Sequence, residues 1–240
     1  MPIGVTPRDL RIKDVITTTT VQEGIVKSYF PSINTHIVSP SIKKMFRKPT
    51  QPQKLVVNVV ARNQEDLNKI MKPFYWKYPV YKWVSFRDLR GLSQDVFCEA
   101  LREGAITIWI DEDSNFGYAA LEAMRSDSIL LAKLPKTLSD WNVEKNEAGD
   151  IVPTDACVWF DHIDRVPDIL ASVVRTWTLD KVPAEVYEKQ HKLDDVYTPE
   201  RQEMEIENVY EHSIFERRIK EFEIVLDNIK NKEVNRENNE

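Results

Sequence analysis

From residue 54 to residue 177 the chain alternates, through short connections, between Val- and Ile-rich runs and segments of helical periodicity. The apolar runs are KLVVNVVA (54–61), VYKWVSF (80–86), AITIWI (105–110), SILLAKL (128–134) and ACVWF (156–160). Runs this apolar, without polar alternation, suit strands buried on both faces. Between them, 62–74 sets Leu67, Ile70 and Met71 at helical spacing behind an acidic first turn. Segment 92–104 puts Val96, Phe97 and Ala100 on one face, with Ser93 as N-cap and Gly104 as C-cap. A short helix follows the third run, and 166–177 gathers Ile169, Leu170, Val173 and Val174. Strand, helix, strand repeated in this way specifies an α/β fold, a Rossmann-like parallel sheet with helices on both faces.

The two ends differ from this middle. Residues 1–50, with a strand near 14–18 and a helix near 21–30, read as a crossover segment or remnant of a preceding domain. Residues 51–185 read as the α/β domain, and 186–240 as a charged helical tail. In the tail Ile206, Val209, Tyr210 and Ile214, then Ile219, Phe222, Val225, Leu226 and Ile229, recur at helical spacing. They specify amphipathic helices that pack on their own domain or on a partner, a second copy included.

Bulk composition narrows the function classes. Apolar residues make up 42% of the chain, enough for a core, and the net charge of −6 argues against nucleic acid as a partner. No run of about eighteen apolar residues exists to span a membrane. Residues 1–13 hold no apolar signal-peptide core, and a cytoplasmic, reducing setting is expected. Cys98 and Cys157 are expected as buried thiols, and His36, His162, His191 and His212 have no metal-ligand spacing. Trp141 reads as core packing.

In an open parallel sheet, ligands bind beyond the carboxyl ends of the strands. Those ends carry Arg62 and Asn63, then Phe86, Arg87 and Arg90, then 111–117, then Lys133 to Lys136. Arg62, Arg87, Arg90 and Lys133 thus form a local positive edge on an acidic chain, suited to a phosphorylated ligand. The turn Asn115-Phe116-Gly117 opens a helix, so backbone N–H groups face the edge and Gly117 allows close approach of an anion. Glu122, further along that helix, is placed to accept hydrogen bonds from two vicinal hydroxyls such as a ribose diol.

The stretch SNFGYAALEAMRSDSILLAK (114–133) resembles the signature of GT-B glycosyltransferases, an EGFG-type turn followed by a leucine-glutamate-alanine-methionine helix and a strand. Phe116, Gly117, Leu121, Glu122, Ala123 and Met124 match it, and the likeness extends over 54–177. The resemblance implies the nucleotide-sugar-binding C-terminal half of such an enzyme, group 1 or family 4-like, transferring a sugar to an unknown acceptor. It implies Arg62 and Glu122 as the catalytic group. The donor would be held by Arg62, Arg87, Ser114, Asn115, Phe116, Gly117, Tyr118 and Glu122. No cofactor or metal is implied beyond the donor nucleotide sugar itself. The chain departs from the family pattern at Ser114, where a second glutamate is usual, at Ala61 for glycine, and at Leu67 for lysine. The acceptor-binding half has no counterpart in the sequence, which leaves room for a separate partner domain.

Two other readings stand beside this one. Asp111-Glu112-Asp113 after a strand is also the D-x-D pattern by which GT-A transferases hold a divalent metal, although the FGYAALEAM segment has no place there. A non-catalytic nucleotide-sugar-binding or interaction module, docking through the tail, is the third.

Overall fold

The structure, a computed structural model, describes residues 9–237 apart from Glu112, Asn115 and Lys181. In chain order its first elements are β1 (Asp14–Thr17), α1 (Thr20–Tyr29), β2 (Asn34–Ile37), β3 (Lys54–Val60), α2 (Gln64–Lys77) and β4 (Ser85–Asp88). Next come α3 (Gln94–Glu103), β5 (Gly104–Trp109), α4 (Tyr118–Arg125), β6 (Ile129–Lys133), β7 (Val143–Lys145) and β8 (Ile151–Pro153). The series ends with β9 (Val158–Phe160), α5 (Val166–Thr178), α6 (Ala184–Lys192), α7 (Pro199–Asn208) and α8 (Glu216–Glu237). Two compact units are formed, one from Pro40–Pro199 and one from Met1–Ser39 together with Glu200–Glu240.

The first unit is the α/β body. Five parallel strands run in the order β4-β3-β5-β6-β9. The pleat sorts their side chains onto two faces with period two. Ile106, Ile108, Ile129 and Leu131 pack against Ile70 and Phe74 of α2 and Leu170 and Val174 of α5. Trp109, Leu130 and Ala132 face the other way, against Cys98 and Leu101 of α3 and Leu121 and Met124 of α4. Helices therefore cover both faces, and each free cysteine is buried. The unit also takes in the loop from Pro40 and helix α6. Gln190 of α6 is buried and donates to the Ala156 carbonyl at 3.2 Å, and His191 bridges Asp127 and Lys48.

Two local expectations are corrected. The run 80–86 is not one strand: Pro79–Tyr81 form a 3-10 turn and pairing begins at Ser85. Proline at the start of the turn sets φ there, and the aromatic residues of the run pack ring against ring, with Phe74 stacked on Tyr81 at 6.0 Å. Gly104 follows α3 as expected but with an extended backbone, φ −91, and it starts β5. Glycine is needed there for space. A Cβ would lie 2.4 Å from Nδ2 of Asn58, a buried side chain that donates to the Ala100 carbonyl at 2.8 Å. The polar stretch 141–150 contributes to an antiparallel hairpin, β7 with β8, turned at Gly149 with φ 86.

In the second unit β1 and β2 pair in parallel, joined by α1, whose N-cap Thr19 accepts from the Gln22 N–H at 3.2 Å. The Asp14 carboxylate gathers Arg217 of α8, Asn34 and His36, at 2.7, 3.1 and 3.2 Å. The guanidinium is the largest influence and holds the Asp14 carboxyl far below the usual carboxylate range. From Pro199 onward the tail is helical throughout its described length, with a π-helical stretch at Val209–Phe215 between α7 and α8. Val209 is buried, while Tyr210, Phe215, Ile219, Phe222 and Val225 are exposed. The side chains of His212, Ile214 and Ile229 lie outside the described residues.

Gly104→Ala is expected to destabilise the α/β body by about 1–3 kcal/mol, the usual range for overpacking. Asn58→Ala in the same chain should recover part of the loss, because the clash is with that side chain. Urea unfolding of the four species of the cycle tests this, and strict additivity would remove the steric account.

Candidate functional site

Strand β3 lies between β4 and β5, so the chain leaves the sheet's centre in two directions. From β3 it returns through α2 on one face, and from β5 through α4 on the other. Between the carboxyl ends of β3 and β5 the connections diverge to opposite faces, the place where open parallel sheets form a ligand crevice. The Ile110 N–H donates to the Val60 carbonyl at 3.0 Å, which carries the pairing to the rim. Ala61 and Arg62 leave one side of this point, and the segment from Asp111 to Gly117 leaves the other.

The turn into α4 is tied from both sides. Its Ser114 N–H donates to the Asp111 carbonyl at 3.3 Å, and Ser114 Oγ accepts from the Gly117 N–H at 3.0 Å. The Phe116 carbonyl accepts from Trp141 Nε1, and the Phe116 ring is buried against Tyr118 and Tyr197, with centroids 4.9 and 5.5 Å away. Gly117 has φ 83, and a Cβ would lie 3.0 Å from the rings of both Trp109 and Trp141. Left-handed backbone and lack of room both demand glycine. Trp141 is therefore a buried wall beneath the turn. Among the described residues no carbonyl or side chain receives the N–H of Tyr118 or Ala119, the first donors of α4. Asn115 lies outside the described residues.

Charges at the rim are mostly paired. Arg62 Nε lies 2.8 Å from Asp111, and Lys136 Nζ lies 2.8 Å from Asp113. The Arg62 side chain is 61% exposed, so its ion pair contributes little, about 0–1 kcal/mol, and the guanidinium is readily re-aimed. Each terminal acid of the D-x-D stretch is thus held by a cation, and Glu112 lies outside the described residues. Among the described residues no three His, Cys, Asp or Glu come together as a metal would need. Arg90 is bound to Asp88. Arg87 sits inside β4, and its guanidinium reaches Glu103 at 2.9 Å. Glu103 immediately precedes β5 and Lys54 begins β3, so that contact belongs to the amino edge of the sheet, away from the crevice.

Glu122 stands apart from these paired acids. It takes no hydrogen bond from another described side chain, and burial pushes its carboxyl pKa from 4.5 up to about 7. Lys43 is the one charge that opposes the shift, and it donates to Gln94 of α3 at 2.5 Å. The Tyr118 phenol, one turn earlier on α4, is pushed up by burial and then by the Glu122 charge. Lys43 escapes a sequence reading because it comes from an irregular loop with no motif around it.

No protein-family model matches the chain, and no curated protein matches it. Solved structures do. The pneumococcal O-GlcNAc transferase GtfA with UDP and GlcNAc matches 85% of this chain and 46% of its own, at 12% identity and a TM-score of 0.55. An S. aureus TarM variant in complex with Fondaparinux, alpha-GlcNAc-glycerol and UDP matches 84% and 44%, at 16% and 0.58. Sucrose-phosphate synthase from Thermosynechococcus elongatus matches 82% and 57%, at 11% and 0.57. The fold is that of a GT-B-type glycosyltransferase domain. At these identities the likeness is one of fold, and the chain spans about half the length of the solved structures it matches. Arg62, Ser114, Phe116, Gly117 and Tyr118 lie where the chain leaves the carboxyl ends of β3 and β5, and Glu122 lies further along α4. No helix among the described residues is long and apolar enough to cross a membrane.

A carboxyl whose folded pKa is raised is in its favoured form below its ordinary 4.5, and its cost grows as pH climbs through about 7. Glu122→Gln cannot ionise. It should match the parent near pH 4 and be more stable at pH 8, by about 1–2 kcal/mol once partial exposure is allowed for. Urea midpoints at the two pH values measure this, and an offset independent of pH would remove the desolvation account.

Proposed function

We propose that the crevice binds a nucleotide-diphosphate sugar and that this chain is the donor-binding part of a glycosyltransferase. The observation that carries the reading is a coincidence of place. The topological switch of the sheet and the left-handed Gly117 turn meet at the entrance of α4, and Glu122, which takes no hydrogen bond from another described side chain, lies on that helix. A diphosphate fits the N–H groups of Tyr118 and Ala119 and the positive end of α4. Arg62, released from Asp111, would meet its charge. Glu122 as carboxylate would accept two hydrogen bonds from the ribose diol, which would give back the polar contacts that burial removes.

In this reading the bond that breaks joins the sugar's anomeric carbon to the diphosphate oxygen. Negative charge then grows on the leaving diphosphate, and fixed donors aimed at that oxygen lower the barrier without exchanging a proton. Arg62 and the N–H groups of Tyr118 and Ala119 are those donors. The acceptor and its base would come from another domain or chain. One solved structure sharing this fold is the GtfA/B complex.

A thermal-shift screen of UDP, GDP, ADP and CMP with their sugars tests the proposal. One diphosphate should stabilise the chain by about 2.7 kcal/mol at a hundred times its dissociation constant. Arg62→Ala should weaken that binding about 10- to 100-fold at every pH. Affinity for the parent should rise as pH passes about 7, where Glu122 ionises, and that rise should vanish in Glu122→Gln. If no nucleoside diphosphate shifts the melting curve at millimolar concentration, the proposal falls.

A further inference from the structure

The net charge of −6 describes the chain as a whole, yet residues 67–87 carry five basic side chains and no acidic one. Lys69 is paired with Asp66 and Lys77 with Asp168, while Lys72 and Lys82 form no ion pair among the described residues. Lys69, Lys72 and Trp76 follow one stripe of α2 at i, i+3 and i+7. Trp76 is 82% exposed, Val80 70% and Trp83 55%, and these two tryptophans are the exposed indoles among the described residues.

This exposure is not looseness. Fully buried Phe74 contacts the rings of Tyr75, Tyr78, Tyr81 and Phe86, and Tyr75 donates its hydroxyl to the Val84 carbonyl. Tyr81 in turn braces Trp83, with centroids 6.3 Å apart. An aromatic knot holds the segment still while Trp76, Val80 and Trp83 point outward. Large apolar groups held rigidly in water mark a contact surface.

We infer that this patch, Trp76, Val80 and Trp83 flanked by Lys72 and Lys82, docks the chain onto an anionic membrane surface. Indole rings favour the headgroup region, and lysines add attraction to anionic lipid while their stems lie along apolar groups. A protein partner is the weaker fit, because lysine is depleted from protein–protein contacts where tryptophan is enriched. The patch lies where α2 ends and β4 begins, the amino edge of the sheet. Helix α2 has fourteen residues, about 20 Å of rise, which separates the patch from the rim at Arg62. A docked chain would turn its crevice away from the lipid.

Vesicle co-sedimentation of the full chain tests this, with phosphatidylcholine alone against phosphatidylcholine mixed with phosphatidylglycerol. Binding is expected to the mixed vesicles only, to fall steeply between 0.05 and 0.5 M NaCl, and to blue-shift the tryptophan emission. K72E/K82E should weaken it by at least about 25-fold, taking about fivefold for each lysine removed. W76A/W83A should abolish the blue shift while the melting temperature stays within a few degrees. Equal binding to neutral vesicles, no binding to either, or binding unchanged in both double variants would overturn the inference. So would a dimer in the absence of lipid that W76A/W83A dissociates, which would assign the patch to a second copy.

Discussion

The parallel pairing of β3 with β5 is the constraint on which the remaining structure depends. It runs from Val57 opposite Ile106 to Val60 opposite Trp109 and continues in the bond between Ile110 and Val60. A slip of one residue would exchange the two faces of the sheet, moving Val57 and Val59 from the α2 side to the α3 side and Asn58 into the apolar layer. Asn58 opposes such a slip, since it would lose the hydrogen bond its Nδ2 donates to the Ala100 carbonyl beside Gly104. The same register delivers Arg62 and Asp111 side by side at the rim. Crevice, ion pair and turn are consequences of one alignment.

At that rim the electrostatics divide into two kinds. Arg62 with Asp111 and Lys136 with Asp113 are exposed pairs, cheap to rearrange, and they leave the edge near neutrality. Glu122 is the opposite case, a half-buried carboxyl with Lys43 as the one charge drawing it back toward ionisation. A residue kept at such a disadvantage is a candidate for function, because nothing in the packing of α4 requires an acid there.

The sheet was legible in the chain because buried parallel strands have a composition unlike anything around them. Residues 54–60, 105–109 and 129–133 are dominated by Val, Ile, Leu and Ala without polar alternation, and the helices between them keep a clear period. What misled was the run 80–86, where Val80, Tyr81 and Trp83 look strand-like and instead belong to a turn built on Phe74. That shift moved Arg87 into the strand and toward Glu103, away from the carboxyl edge. Gly104 looked like a helix terminator, whereas its requirement comes from Asn58, 46 positions earlier, a relation no local window contains. Gly117 was visible from its motif, but the two tryptophans that exclude a side chain there were not. The burial of Glu122 was equally hidden, and so was the charge of Lys43 acting on it from a distant loop.

The unit built from Met1–Ser39 and Glu200–Glu240 has a consequence for the order of events during synthesis. Asp14 leaves the ribosome 203 residues ahead of Arg217, its principal partner. At 5–20 residues per second that interval lasts roughly 10–40 s, during which β1, α1 and β2 can form no more than an isolated two-stranded pair. The α/β body, whose contacts lie within 40–199, is translated inside that window and is free to fold first. Until α8 emerges, β1 and β2 stand without the guanidinium that closes the ring of charge around Asp14.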